Sequence, residues 1–319
     1  MNLPGTRTRP RLVALALLPL LALTACGSGD TDTGGAAGGD AQAAAAPSGN
    51  PVAAVRKVDS AAKLLPADVR AKGTLRIGSS TGGPPAAYYP NGTGKKPVGQ
   101  DIDLADAAAK VLGIQLKRQD ASFETILPAL ESGKYDLGTG NFGVTSERLK
   151  TIDFVTYIND GQGFAVKTGD TSFGKKITDL AQLCGRNIGV GAGTTFEATL
   201  DAQKARCTKA GKKPYDVQVF SDNGATLTAL QQGRIDVIMS TINGLRHQAS
   251  KSASQTTFLG EFHRLDVGFA FKKDSRLTKA FQAAVNELIK DGTYERILKK
   301  WGTSESAIET SRVNPPEHA

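Results

Sequence analysis

Two stretches of the chain, 100 residues apart, share one pattern, and this internal repeat restricts the fold more than any other feature. The first runs from Ile126 to Asp136 and the second from Thr226 to Asp236, and both contain Leu, Ala, Leu, Gly, a basic residue and Asp in the same order. Each copy has the spacing of a helix end, a glycine where the helix terminates, and the start of a buried strand. We therefore predict a helix–turn–strand unit that recurs in two related parts of the chain.

A second, shorter repeat lies upstream of each copy. Gly73–Gly78 and Gly185–Val190 both read as a short strand that runs into a glycine-rich turn. Chance similarity would explain either repeat alone, but two repeats in the same order favour two related α/β lobes. Between them helical and extended patterns alternate, with predicted helices at 101–112, 123–131, 195–205 and 224–231 and predicted strands at 114–117, 136–139, 216–220 and 236–240. This alternation predicts mostly parallel sheets covered by helices.

Three loops that follow predicted strands form the candidate site, because ligands of such sheets bind beyond the carboxyl ends of the strands. The loops are Thr139–Arg148, Gly189–Glu197 and Met239–Asn243. Their glycines allow close approach of the backbone, helix-start N–H groups favour an anion, and Arg148 can bind a carboxylate with two hydrogen bonds. Alternatively the glycines only make tight turns and Arg148 pairs with a surface acid, but three such loops at equivalent strand ends favour a ligand site.

The sequence contains little that would indicate a cofactor, metal or nucleic-acid site. Neither the dinucleotide fingerprint nor a P-loop occurs, so we expect no cofactor. The 39 Lys and Arg against 31 Asp and Glu give a net charge of +8 without any block of five like charges, so no nucleic-acid groove is indicated. No His or Cys spacing fits a zinc site, and we expect no metal.

The N-terminus has the pattern of a secretion signal. Arg7, Arg9 and Arg11 precede the apolar run Leu12–Ala25, which is too short to span a bilayer. We assign residues 1–25 to a signal peptide and residues 26–66 to a flexible tether, because residues 27–50 are mostly Gly, Ala, Ser, Thr and Asp. Whether residues 51–66 extend the tether or dock on the first lobe stays open.

Two cysteines remain beyond the tether. Cys184 and Cys207 lie 23 positions apart, and in an oxidising compartment they favour a disulfide. A catalytic thiol is the alternative, but it needs a partnering histidine. His247, His263 and His318 stand in no recognisable Cys-His context.

Motifs along most of the chain resemble the polar amino-acid group of extracellular solute-binding proteins, family 3, which feed ABC importers. The matching residues are Leu75–Gly78, Gly99–Ala105, Leu130–Asp136, Thr145–Arg148, Ile152–Tyr157, Asp179–Leu180, Gly193–Thr195, Gly233–Asp236, Asp291–Tyr294 and Lys300–Gly302. The resemblance implies an α/β fold of two Rossmann-like lobes joined by a two-segment hinge, like a type II periplasmic binding protein. It places lobe 1 at 67–161 and 263–315 and lobe 2 at 162–262, with crossings near 160–163 and 262–266.

Separately, Leu23–Cys26 resembles a bacterial lipobox, which implies cleavage before Cys26 and a diacylglycerol on its thiol. A soluble secreted protein is the alternative. We expect a monomer outside the cytoplasm, anchored by lipid to the cell membrane, with a small solute and an ABC permease as partners and no nucleic acid.

The resemblance also assigns the carboxylate side of a solute site. Arg148 corresponds to the arginine that pairs with the α-carboxylate, and Gly143 to a backbone N–H that supports it. Thr194 and Thr195 correspond to donors from the second lobe. Gly191 belongs to the same glycine-rich loop.

The remaining positions of the site are matched less closely. Phe123 corresponds to an aromatic residue that packs on the solute side chain, although it could equally be a core residue, and Asn141 lies near the solute ammonium. Thr241 stands where the family usually has an ammonium-binding Asp, so either another acid substitutes or the solute lacks an ordinary α-ammonium. Ser80 replaces an Asp often found in binders of basic amino acids.

We therefore expect a non-enzymatic receptor that captures a polar amino acid or related small carboxylate, without catalytic residues. One alternative is an enzyme resembling cyclohexadienyl dehydratase, in which Glu197 would be the general acid. Glu197 can also be read as a first-turn helix carboxylate. A second alternative is the ligand-binding subunit of a sensor.

Overall fold

The computed structural model describes residues 49–90 and 96–317. The predicted signal peptide, Cys26, most of the tether and His318 lie outside these residues. The helices are Asp59–Ala62 (α1), Ala67–Lys72 (α2), Gln100–Leu112 (α3), Phe123–Glu131 (α4), Thr195–Gln203 (α5), Ala205–Lys209 (α6), Asn223–Gln231 (α7), Ile242–Ala249 (α8), Thr278–Lys290 (α9) and Thr293–Trp301 (α10). The strands are Thr74–Ser79 (β1), Gln115–Asp120 (β2), Leu137–Gly143 (β3), Ile152–Lys167 (β4), Asn187–Gly191 (β5), Asp216–Phe220 (β6), Val237–Thr241 (β7) and Thr256–Lys272 (β8).

The strands form one sheet in the order β2-β1-β3-β8-β4-β7-β5-β6. In one half β1 pairs in parallel with β2 and β3, and in the other half β5 pairs in parallel with β6 and β7. β8 and β4 close the two halves as antiparallel strands and pair with each other at the centre. The predicted pair of α/β lobes is therefore confirmed, and the two lobes share a continuous sheet.

We call β1–β3 with α1–α4, α9 and α10 lobe 1, and β5–β7 with α5–α8 lobe 2. Both belong to the same compact unit of the chain. β4 and β8 run between the lobes, and the predicted crossings lie side by side on them, where Asn159 pairs with Asp266 and Gly161 with Arg264. A Cβ on Gly161 would lie 2.1 Å from the carbonyl oxygen of His263, so the two crossing strands approach as closely as glycine allows.

The internal repeat performs the same task in each lobe. The Asp136 carboxylate accepts a hydrogen bond of 2.8 Å from the backbone N–H of Arg76, and the Asp236 carboxylate one of 2.7 Å from that of Asn187. The glycine that ends each repeated helix has a left-handed φ, +77° in the first copy and +70° in the second. The repeat therefore fixes the start of β3 beside β1 and of β7 beside β5.

Two predicted elements differ from the structure. The strand predicted at 136–139 continues to Gly143, because its end pairs with β8. The helix predicted at 195–205 ends at Gln203, and α6 follows after Lys204, whose N–H bonds three residues back to Asp201 and tightens the turn. The other predicted helices and strands shift by at most a few residues at their ends.

The predicted disulfide is confirmed, since Cys184 and Cys207 are bonded. Cys207 is fully buried in α6 among the apolar side chains of lobe 2, including Leu183 and Leu200. The bond therefore attaches α6 to the segment that precedes β5.

Residues 51–66 pack on lobe 1, so the tether predicted for 26–66 does not reach residue 66. Val52, Val55 and Leu65 are buried in the same core as α3 and α9. The N–H of Val58 donates a hydrogen bond of 2.9 Å to the carbonyl oxygen of Val111 in α3. The physical reason is the apolar content of this stretch, which is enough to offset the entropy of ordering it.

None of the helices in the described ranges is long and apolar enough to cross a membrane. The same ranges contain no cluster of His, Cys, Asp and Glu side chains that could hold a metal ion.

Candidate ligand-binding site

The guanidinium of Arg148 lies between the two lobes. Arg148 begins a short 3-10 turn after β3, where its N–H is bonded to the Thr145 hydroxyl. Its guanidinium donates hydrogen bonds to the carbonyl oxygens of Gly143 in lobe 1, at 2.9 Å, and Gly193 in lobe 2, at 3.1 Å. Burial lowers the pKa of Arg148 to about 10. No carboxylate of residues 49–90 and 96–317 forms an ion pair with it.

Two aromatic rings hold this guanidinium from the lobe 1 side. Phe123 at the start of α4 stacks on Phe142 of β3 with 4.7 Å between ring centroids. The guanidinium carbon of Arg148 lies 5.8 Å from the centre of the first ring and 5.9 Å from that of the second. Phe123 thus borders the core and also contacts Arg148, while its packing on a solute side chain stays a prediction.

Lobe 2 contributes the glycine-rich loop and the start of α5. The Thr194 hydroxyl donates to the carbonyl oxygen of Gly191 at 2.7 Å and accepts from the N–H of Glu197 at 3.4 Å. This hydroxyl therefore caps α5 at the N–H of Glu197, and the earlier N–H groups of the first turn, at Thr195 and Phe196, are of the kind that favour an anion. A Cβ on Gly143 would lie 3.5 Å from the Thr195 methyl group, so the two loops face each other.

Glu197 serves the same loop. Its carboxylate accepts a hydrogen bond of 2.8 Å from the N–H of Gly193. Glu197 therefore has the geometry of a first-turn helix carboxylate, the second of the two interpretations given for it.

Asn141 is held at the end of β3 by two buried acids. It has a left-handed φ of +56°, uncommon for a residue with a side chain. Its N–H donates to the Asp101 carboxylate and its side-chain amide to that of Asp160, both at 2.9 Å. Its side-chain carbonyl oxygen is buried and has no hydrogen-bond partner among the described residues. Burial raises the pKa of Asp101 to about 6 and also raises the pKa of Asp160.

Asp160 also reaches lobe 2. Thr241 caps α8 by accepting a hydrogen bond of 3.1 Å from the N–H of Gly244. Two residues after Thr241, the N–H of Asn243 donates to the Asp160 carboxylate at 3.2 Å. A buried acid on β4 therefore links Asn141 with the start of the helix that Thr241 caps.

Ser80 lies beside Gly140: a Cβ on Gly140 would lie 3.1 Å from the Ser80 Cβ. Nearby, the side-chain amide of Asn223 at the start of α7 donates a hydrogen bond of 2.7 Å to the Gly82 carbonyl oxygen. This contact joins the lobes a second time.

The structure thus brings together the predicted site residues around facing strand ends of the two lobes. The sequence reasoning missed Asp101, Asp160 and Asn223. Asp101 lies inside a motif that carried the family resemblance, but nothing local marked it or Asp160 as acids buried beside the site. Asn223 gave no signal, because its partner is 141 residues away.

Comparison with known proteins identifies the family. Residues 75–304 match the model of the bacterial extracellular solute-binding proteins, family 3. The chain belongs to this family. Family 3 proteins act outside the cytoplasm, as their description states.

Named relatives of this family 3 protein are binding proteins. An arginine-binding protein of Corynebacterium glutamicum is 27% identical over 253 residues, 79% of this chain and 81% of the relative. An L-cystine-binding protein of Escherichia coli K12 is 29% identical over 236 residues, 73% of this chain and 84% of the relative.

Solved structures similar to this chain include those of amino-acid-binding proteins. An ancestral arginine-binding protein bound to arginine has a TM-score of 0.64 at 33% identity, covering 72% of this chain and 98% of that one. An ancestral amino-acid-binding protein described as a precursor of cyclohexadienyl dehydratase has a TM-score of 0.62 at 28% identity, covering 73% and 97%.

Proposed function

We propose that this protein is the amino-acid-binding receptor of an ABC importer, and that it binds a free polar α-amino acid between its lobes. The surroundings of the Arg148 guanidinium are the observation that carries the proposal. A partly buried guanidinium whose hydrogen-bond partners among the described residues are two carbonyl oxygens fits a ligand that brings its own negative charge. The names of the relatives, which bind arginine or cystine, support the ligand class.

The carboxylate of the amino acid would lie between Arg148 and the start of α5. The N–H groups of the first turn after Thr194 supply donors from lobe 2, and the guanidinium supplies two donors from lobe 1. A ligand held from both sides binds the closed arrangement of the lobes better than an open one, which is how such a receptor would signal its loaded state.

The ammonium group would be received by the side-chain oxygen of Asn141. This oxygen has no hydrogen-bond partner among residues 49–90 and 96–317, and the Asp160 carboxylate lies behind the same amide. Asp160 would thereby supply the negative charge that Thr241 does not. Ser80 stands where binders of basic amino acids often have an Asp, which favours an uncharged polar amino acid.

The full assembly proposed is a lipid-anchored monomer attached through Cys26, which presents its ligand to an ABC permease. The signal-like N-terminus is the reason for proposing the anchor, and family membership supports the permease as partner. We propose no enzymatic role, because Glu197 is engaged by the backbone of its own loop.

An amino-acid panel tests the receptor proposal. Purified full-length protein is heated with each of the twenty L-amino acids, L-cystine, prephenate or arogenate, and positive ligands are measured by calorimetry. A ligand at one hundred times its Kd should raise the unfolding temperature by about 5 to 10 °C. If no amino acid raises it while prephenate or arogenate is consumed, the enzyme alternative replaces the receptor.

A pair of substitutions tests the ammonium site. Asp160→Asn should weaken binding of the amino acid more than that of its 2-oxo acid analogue, which lacks the ammonium. Adding Thr241→Asp should restore amino-acid binding, whereas Thr241→Asn keeps the cap of α8 without charge and should not. Equal loss for both ligands would contradict the assignment of Asp160.

A further inference from the structure

The chain does not end when α10 returns to lobe 1. Residues Thr303–Glu317, which we call the C-terminal strap, continue beyond Gly302, and the family match ends at residue 304. Most of the strap is therefore outside the part of the chain that the family model covers. It is nevertheless firmly packed, since Thr303, Ser306 and Ser311 are buried.

The middle of the strap binds both crossing strands. Thr156 of β4 exchanges hydrogen bonds with Arg312: its N–H donates to the Arg312 carbonyl oxygen at 2.9 Å, and its hydroxyl accepts from the Arg312 N–H at 2.8 Å. The Ser311 hydroxyl donates to the Thr156 carbonyl oxygen at 2.6 Å. The Arg312 guanidinium donates to the Asp266 carboxylate of β8 at 2.6 Å. The strap is thus fixed to the hinge itself.

The start of the strap reaches across to lobe 2. The Asn243 side-chain amide donates to the Ser306 hydroxyl at 2.9 Å, and that hydroxyl lies 3.2 Å from the Asn243 side-chain oxygen, to which it donates. Glu305 pairs with Arg246 one turn further along α8. The first turn of α8 is therefore held by the strap on one side and by Asp160 on the other.

The end of the strap returns to the arginine loop of lobe 1. The Glu317 carboxylate accepts a hydrogen bond of 2.8 Å from the N–H of Ser146, two residues before Arg148. The same short segment thus contacts the loop that carries the carboxylate-binding arginine and the helix that Thr241 caps.

These contacts span the hinge, from the Arg148 loop of lobe 1 to the start of α8 in lobe 2. When the lobes open, lobe 2 rotates relative to lobe 1 about β4 and β8. The strap is fixed to lobe 1 and to the hinge, so its contacts favour the arrangement of the lobes in which α8 lies within their reach. In this structure that arrangement has the lobes in contact at Arg148–Gly193 and Asn223–Gly82.

We infer that the C-terminal strap positions both halves of the ligand site, with Ser306 holding the start of α8 in the closed arrangement and Glu317 holding the Arg148 loop. The inference deepens the proposed function and rests on it for its effect on affinity. Its effect on the lobes themselves does not depend on any ligand.

Two matched pairs of variants of the full-length protein test the inference. Ser306→Ala is compared with Ser304→Ala, and Glu317→Ala with Glu309→Ala, because Ser304 and Glu309 are exposed residues of the same segment. Hydrogen–deuterium exchange is followed in peptides covering residues 141–150 and 240–249, and the open fraction is followed by small-angle X-ray scattering. Kd and dissociation rate are measured with L-arginine and L-glutamine, together with the unfolding temperature.

Ser306→Ala should accelerate exchange at the start of α8 about tenfold, the equivalent of one buried hydrogen bond, and shift scattering toward a more open protein. Glu317→Ala removes the acceptor of the Ser146 N–H and should accelerate exchange around Arg148, by less because the bond is exposed. Where a probe amino acid binds, both variants should raise its dissociation rate while the unfolding temperature stays within that of the controls.

The inference is overturned if the two variants match their controls in exchange and scattering. It is equally overturned if exchange rises throughout the protein with a fall in unfolding temperature, since the strap would then only stabilise the fold. If wild-type protein binds neither probe, the proposed ligand class loses support, but exchange and scattering still decide the role of the strap.

Discussion

Replacement of Arg148 by Met should abolish ligand binding with little change in stability. Burial lowers the pKa of Arg148 to about 10, which corresponds to a cost of about 3 kcal/mol for keeping the guanidinium charged in the folded protein. Its two hydrogen bonds to Gly143 and Gly193 return about 2 to 3 kcal/mol. Met has a similar length and no charge, so the free energy of unfolding should change by about 1 kcal/mol or less.

The effect on binding is expected to be far larger. Removing one partner of a buried, hydrogen-bonded charge pair costs about 2 to 5 kcal/mol, which raises Kd about 30- to 5,000-fold. The amino acid found in the panel is titrated by calorimetry, and unfolding in urea is followed by circular dichroism.

Arg76→Met provides the matched control. Arg76 pairs with Asp136 at the start of β3, on a surface away from the cleft. This variant should lose at most about 1 kcal/mol of stability, because the pair is partly exposed, and should bind normally. Normal affinity in Arg148→Met, or a stability loss of several kcal/mol, would refute the reasoning.

Three further predictions concern stability. Because burial raises the pKa of Asp101 to about 6, this carboxyl group favours the folded state below about pH 4 and loses that contribution as the pH rises to 6. The free energy of unfolding of Asp101→Asn, measured in urea, should therefore rise relative to wild type by up to about 3 kcal/mol between pH 4 and 7. A difference that does not depend on pH would contradict this. Gly78→Ala should lose about 1 to 3 kcal/mol, since its Cβ would lie 2.5 Å from the Tyr135 ring, and a simultaneous Tyr135→Val should recover part of the loss in the same assay. Replacing Cys184 and Cys207 by Ala should cost about 2 to 4 kcal/mol, and wild type under reducing conditions should show the same fall in unfolding temperature; an unchanged temperature in either would count against the bond's contribution.

The elements of the fold were predictable from the sequence where the signal was local. The repeat around Asp136 and Asp236 combined helical spacing, a glycine stop and an acid, and both copies form the predicted unit. Arg148 was predictable for the same reason, since a base after a glycine-rich strand end is visible in a short stretch of sequence.

The buried acids of the site could not be predicted in this way. Asp160 lies in the middle of a strand of 16 residues, and its partners Asn141 and Asn243 come from other elements. These contacts of Asp160 arise because β4 runs between the lobes, and no local sequence pattern predicts them. Residues 51–66 were ambiguous because their few apolar side chains become a core only when α3 and α9 are beside them.

The sheet order has a consequence for how the protein folds as it is synthesised. β1 to β3 pair with one another, β4 to β7 do the same, and all seven strands have emerged by Thr241, before β8 is made. β3 and β4 each keep an unpaired edge until β8 emerges and pairs with both, and unpaired edges are where chains aggregate. The nascent protein should therefore carry two half-sheets with open edges until its last strand joins them, and the edge of β3 waits longest because it is made first.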